Sequence, residues 1–346
     1  MQSDEHAAQL QSRSKESWLL RTLREMAIHD FAVFGYLLLL NLAVLNTPAS
    51  AQRSACVSRT AGLMIAYLTA IVLVRGRVLR HHWLTALVYR VGIYGPVQIS
   101  YFFLKHILPL LNTVTLDQKL YRLDLLLFHV EPAMAWDRYV NPVTTEWFSF
   151  FYFSYFLLMA AHVVPLLFFG RRKQIVGEFT FAMLLLFSIG HTLYMVVPGY
   201  GPYRAMADSF QHSFPMGPWH ELVMSAVHSG GALMDIFPSL HTGAPTAIAL
   251  FSYRNRDKLP FRYTWPIVTF AAANIIVATM FLRWHYLIDV VAGFSIAAIV
   301  VLVSRPVVRW ELARRERENL GELWPEFSAG GSGTGTKNLA GDVAAA

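Results

Sequence analysis

Eight long apolar stretches constrain this chain more than any other feature. They fall at about 27 to 46, 60 to 75, 84 to 104, 146 to 169, 175 to 197, 239 to 254, 263 to 282 and 285 to 304. A segment that crosses the hydrocarbon layer needs about 20 largely apolar residues, and it must bond its own backbone N–H and C=O groups, which a helix does. The pattern predicts an all-α membrane protein with about eight transmembrane helices, the second and sixth of them short. Composition agrees, with 55% hydrophobic and only 15% charged residues. Polar ends hold the mean hydropathy to +0.40.

Orientation follows from the short loops, because Lys and Arg are retained on the cytoplasmic side. Arg13, Lys15, Arg21 and Arg24 precede the first stretch; Arg75, Arg77 and Arg80 follow the second; Arg171, Arg172 and Lys173 follow the fourth. Arg254, Arg256, Lys258 and Arg262 follow the sixth, and Arg305, Arg309, Arg314, Arg315 and Arg317 the last. The alternate short loops hold only Arg53 and Arg59, then Arg204, then Arg283. Both termini are therefore expected to be cytoplasmic. The long third loop, 105 to 145, belongs outside. Within it Leu116, Leu120, Leu123, Leu126 and Leu127 share a helical face while Asp117, Lys119 and Arg122 point elsewhere, which suits a helix in the headgroup plane or one packed on the bundle. Ala49, Ser50 and Ala51 form an A-x-A pattern, but the residues before the first apolar stretch outnumber a usual signal-peptide n-region, so cleavage is not expected. The final GGSGTGTKNLAGDVAAA has the composition of a disordered tail.

With Cys56 as the sole cysteine, neither a disulfide framework nor a cysteine-based zinc site can be built, and no metal or other cofactor is expected. The net charge of +7 is spread over loops rather than gathered on one face, so it reports topology and not nucleic-acid binding. Thirteen histidines remain as the available chemistry.

The eighth stretch opens RWHYLIDVVAGF, setting His285 and Asp289 four residues apart on one helix face at a membrane boundary. A carboxylate there is costly unless partnered; it can bond one imidazole nitrogen and leave the other free, although a structural pair tying helices together would look the same. The sixth stretch opens DIFPSLHTGA, where Ser239 reads as an N-cap and His241 falls in the first turn, beside N–H groups that favour an anion. By the topology above, both histidines lie on the outer face. VVPGYGPYR forces a turn at 196–204 that delivers Tyr203 and Arg204 to that surface, and Arg283 stands two residues before His285. Either arginine suits phosphate through its planar fork, or anchors headgroups. Arg90, His162, Glu178, His191 and Asn274 read as groups satisfying neighbours within the bundle, with His191 and Tyr194 placed where they would line an outer pocket.

GPYR at 201–204, PSLH at 238–241 and HYLID at 285–289 resemble the three signature motifs of the type 2 phosphatidic acid phosphatase superfamily. Leu240 in place of the commoner glycine, HYLIDVVAG, and the LDLLLFHVEP stretch look most like the inositol phosphorylceramide synthase branch. The resemblance covers about 100 to 304 and implies a six-helix core. It implies that His285 attacks phosphorus and becomes a phosphohistidine, that Asp289 orients it, and that His241 protonates the leaving oxygen. Arg204, Ser239, Tyr203 and Arg283 would bind phosphate. The sequence departs from the pattern at Thr279, where many members have arginine, and in having no lysine from 174 to 257. The implied division is a cytoplasmic amphipathic segment at 1–26, two accessory helices at 27–83, a catalytic core at 84–304 and a basic, flexible cytoplasmic tail at 305–346.

The expected partners are a membrane lipid phosphate or phospholipid and, for a transferase, a lipid alcohol such as ceramide. Two versions share the first half-reaction: a phosphatase passes the phosphoryl group to water, a transferase passes a phosphoryl-headgroup unit to the alcohol. A transporter or flippase is the competing class, in which His285 and Asp289 would relay protons. No inverted repeat supports it.

Overall fold

The structure is a computed structural model that describes residues 17–170, 172–231 and 233–327. The expectations for 1–16, Arg171 and the final Gly/Ala-rich stretch lie outside the described residues. All eight apolar stretches are helical, and the described residues form no named strand. α1 (Trp18–Glu25) precedes α2 (Ile28–Leu45), α3 (Ala51–Arg75) and α4 (His82–Leu111). The predicted loop helix is α5 (Asp117–Phe128), followed by a short α6 (Pro132–Trp136). Then come α7 (Pro142–Phe169), α8 (Lys173–Val196), a single turn α9 (Pro202–Ala205) and α10 (Pro218–Gly230). The chain closes with α11 (Leu240–Arg254), α12 (Phe261–Phe281) and α13 (Leu287–Arg317).

Six of these, α2, α3, α7, α8, α12 and α13, are long and apolar enough to cross a membrane. The other two expected spans differ for separate reasons. α4 has 30 residues but carries Arg90, Gln98 and Lys105, with Pro96 and Pro109 inside it. α11 has only 15 residues, a length of about 22 Å, less than a hydrocarbon layer. It needs no lipid-facing surface because it is buried on nearly every side, and Gly243, Ala244, Ala247 and Ala249 let its neighbours approach closely.

Two helices extend well beyond their hydropathy boundaries at one end. α3 starts at Ala51, where the Ser50 hydroxyl accepts the Arg53 N–H at 3.0 Å. Arg53 then folds its guanidinium onto the Leu45 carbonyl at 2.8 Å. α13 runs on to Arg317, well past the apolar stretch, because its last turns are amphipathic and bury Val308, Glu311 and Arg315.

The two ends of the described chain meet at one end of the bundle. Arg315 donates to the Glu25 carbonyl at 2.6 Å, and the Gly321 N–H to the Glu25 carboxylate at 2.9 Å. The segment after α13 is no loose tail up to residue 327: Trp324 is buried against His29 and Tyr89, and Arg90 holds the Pro325 carbonyl at 2.7 Å. Beneath it lies a buried ion pair, Arg75 Nε to Asp30 Oδ2 at 2.8 Å, in which Asp30 also accepts the Tyr89 hydroxyl and the Ala27 N–H. Arg75 spends its remaining donors on the Tyr89 oxygen and the carbonyls of Glu322 and Leu323. Glu178, read from sequence as satisfying a neighbour, does so with Arg254 at 2.7 Å. α8 and α11 thus have charged ends here, and their opposite ends carry the residues singled out for chemistry.

Candidate active site

Pro238 cannot donate and Ser239 caps: its hydroxyl accepts the Thr242 N–H at 3.2 Å, starting α11 one residue before His241. The Ser239 N–H donates in turn to the Asp289 carbonyl of α13 at 3.0 Å, so the two motif-bearing helix starts are joined by backbone. That junction requires Gly293, where a Cβ would stand 2.3 Å from the Ser239 carbonyl oxygen. Gly293→Ala must push α11 from α13, and because both partners are backbone the strain cannot be relieved by a rotamer change. We expect turnover to fall about 100-fold, the scale of an ångström misplacement in a catalytic pair, in a protein that still elutes as a folded species. Unchanged kinetics in Gly293→Ala would show that the junction does not set the histidine spacing.

The start of α13 is capped by carboxylates. Asp289 Oδ2 accepts the Tyr286 N–H at 2.9 Å, and Asp124 from α5 accepts the N–H groups of Leu287 and Ile288 at 2.7 and 2.8 Å. The donors of α13 are therefore occupied, which leaves the start of α11 as the anion-favouring helix end. His285 precedes this cap. Its Nδ1 stands 3.5 Å from Asp289 Oδ2, while Asp289 Oδ1 has no hydrogen-bond partner among the described residues.

The imidazoles of His241 and His285 converge with ring centroids 6.4 Å apart. His241 is stacked on Tyr152 at 4.5 Å and tilted against Tyr155 at 4.3 Å, both from α7, and its Nε2 has no hydrogen-bond partner among the described residues. Both histidines face a cavity of about 370 Å³ with largely aromatic walls, including Tyr101, Tyr203 and Trp284. His191 and Tyr194 line it too, as the sequence suggested, and His191 Nδ1 lies 3.3 Å from the Tyr36 hydroxyl. Leu240, the departure from the commoner glycine, packs where a side chain on Gly190 of α8 would be, so the larger residue is matched by a smaller one opposite.

The structure brings His241, His285, Asp289, Ser239 and Tyr203 together; the two arginines it places elsewhere. Arg204 is exposed, its guanidinium 3.8 Å over the Tyr200 ring, and it is not part of the cavity wall. Arg283 is buried between the rings of Phe210 and Phe214, at 3.9 and 4.3 Å, and donates to Asp137 Oδ1 at 2.7 Å and the His212 carbonyl at 2.6 Å. Burial disfavours the Asp137 charge, but hydrogen bonds from His212 and Gln211 and the Arg283 cation outweigh it and hold the carboxyl below its usual range. Arg283 thus clamps the loops that carry Asp137 and His212 beside Trp284.

Three carboxylates of this region escaped the sequence reading. Asp117 and Asp124, seven residues apart on α5, face inward, while Leu123, Leu126 and Leu127 face outward, exposed. The amphipathic helix exists, but with its carboxylates in the core. Asp117 accepts the N–H groups of Tyr200 and Gly201, pinning the turn in which Gly201, at φ +88°, packs on the Trp284 carbonyl. The i, i+7 spacing of Asp117 and Asp124 was the available signal. Asp235, on the cavity wall, had none: it lies in a loop, with its Oδ2 accepting the Tyr101 hydroxyl at 2.8 Å. Burial pushes its carboxyl up, and the Tyr101 hydrogen bond opposes that. No three His, Cys, Asp or Glu side chains among the described residues group closely enough to hold a metal ion.

A helical membrane bundle with two histidines and an aspartate gathered at an aromatic cavity defines a class of protein whose site suits chemistry on a membrane-borne substrate. The family model of the PAP2 superfamily matches residues 118–303, more than half of the chain, and the chain belongs to that superfamily. Searches of curated proteins and of solved structures return no match. Membership supports a function of the lipid phosphatase or phosphotransferase type.

Proposed function

We propose that this protein is a lipid phosphotransferase that works through a phosphohistidine at His285, with His241 as acid and then base and Asp289 as the orienting partner. The observation that carries the reading is the convergence of the two imidazoles, 6.4 Å apart, on one aromatic cavity, with Asp289 behind His285. In the first half-reaction a His285 nitrogen attacks phosphorus, the bond to the leaving oxygen breaks, and that oxygen takes a proton from His241. In the second, a hydroxyl oxygen attacks, the P–N bond breaks, and the hydroxyl proton passes to His241. N–H groups at the start of α11 support charge on the phosphate oxygens. The loop-charge pattern supports a site at the outer face, and the branch resemblance supports a phosphoinositol-type headgroup passed to ceramide or a related lipid alcohol.

The test is purified protein in detergent given labelled phosphatidylinositol or phosphatidic acid, with and without ceramide. A ceramide-dependent product, reduced about 100-fold or more in His241→Ala, is the expected result. Free phosphate released without an acceptor would make the protein a phosphatase. Undiminished turnover in both His241→Ala and His285→Ala would sink the mechanism, and lipid translocation surviving in both would point to a transporter.

A further inference from the structure

The phosphotransfer reading leaves one charged group of the cavity unused. Its described lining contains no lysine and no arginine, and its single carboxylate is Asp235. That side chain is held firmly. Its backbone bridges to Gly199, the Gly199 N–H bonds the neighbouring Met234 carbonyl at 3.2 Å, and the Tyr101 hydroxyl fixes Oδ2. His285 lines the same cavity. The arginines that would neutralise a multiply charged phosphate are committed elsewhere, Arg283 to Asp137 and Arg204 to the face of Tyr200.

A phosphodiester carries one negative charge. A phosphomonoester near neutral pH carries between one and two, because its second pKa is about 6. In a site whose positive potential comes only from a helix start and two imidazoles, the second charge meets Asp235 without compensation. A monoester escapes that repulsion only by binding as its monoanion, about a tenth of the population near neutral pH, so its occupancy falls by about 10-fold.

We propose that Asp235 sets the substrate class of this site, admitting monoanionic phosphodiesters as donors and rejecting dianionic phosphomonoesters. The proposal rests on the phosphotransfer reading above. Asp235 acts as a specificity residue and takes no part in bond making, so its removal is read in the ratio of substrates, which a change in histidine chemistry common to both leaves unmoved.

The full-length protein in mixed micelles is assayed for kcat/KM on phosphatidylinositol with ceramide and on phosphatidic acid. Wild type is expected to favour the diester about 10-fold, and Asp235→Asn to bring the ratio near parity by raising monoester turnover. Tyr101→Phe removes the donor that supports the carboxylate charge and is expected to shift the ratio the same way by a smaller factor. It provides the measurement if Asp235→Asn does not fold. A wild-type preference for phosphatidic acid, or a ratio unmoved in the folded variants, overturns the proposal. His285→Ala separates the two ideas: activity surviving there overturns the phosphotransfer reading, whereas activity lost there with an unmoved ratio overturns only the role of Asp235.

Discussion

His285→Ala is expected to lower turnover by about 10⁴-fold or more, the largest effect of any single substitution in this protein, because it removes the proposed nucleophile. General acid–base contributions are smaller, typically about 10² to 10⁴, so His241→Ala should retain more activity than His285→Ala. The distinction is sharper in a trapping experiment than in steady-state rates. Acid quench would destroy a phosphohistidine, so label from a lipid phosphate is followed after alkaline quench. Wild type should carry it on protein, His241→Ala should carry it after a slower approach, and His285→Ala should carry none. Asp289→Asn keeps the shape and hydrogen-bond reach of the side chain that stands 3.5 Å from His285 Nδ1, yet removes its charge. It should fall between the two. Label on His285→Ala equal to wild type would move the nucleophile to another residue.

The largest effect on stability is expected from Arg75→Ala. Asp30 and Arg75 are almost wholly buried, and the guanidinium is shared among Asp30, Tyr89 and the carbonyls of Glu322 and Leu323. Removing the arginine leaves a buried carboxylate without its cation and frees the segment that ends the described chain, a loss of about 3–5 kcal/mol. Thermal unfolding in detergent should show a midpoint roughly 10 °C lower. Removing both charges at once, as Asp30→Asn with Arg75→Met, should cost less than Arg75→Ala alone, because the penalty comes chiefly from the orphaned partner. The pair lies at the end of the bundle away from His241 and His285, so folded Arg75→Ala should keep a near-normal kcat at low temperature. An unchanged midpoint would mean that the segment around Trp324 is held by packing alone.

These two predictions draw on different amounts of sequence information. His241, His285 and Asp289 were legible as candidates because local rules bear directly on them: an i, i+4 pair on one helix face, a Pro-Ser helix start, and the cost of a carboxylate at a membrane boundary. The Asp30–Arg75 pair was not, since its members are 45 residues apart and nothing local links them. Arg283 and Arg204 show the reverse case. Both were candidates by chemistry and position, but an arginine goes where its five donors and flat face find the most partners, and here those were Asp137, His212 and aromatic rings.

By itself the sequence determined the helical class, because a backbone in lipid has no other way to satisfy its polar groups over such lengths. It also singled out the candidate residues for chemistry, because polar groups that costly stand out against an apolar background. Tertiary structure alone decided that α11, at 15 residues, is sheltered by its neighbours. It decided that α5 turns its aspartates inward to cap α13 and pin the turn before α9, and that Asp235 rather than an arginine shares the cavity with the histidines. Hydropathy and helical periodicity act over a few neighbouring residues, whereas burial, capping between segments and the direction of a long side chain depend on residues brought together only when the bundle closes.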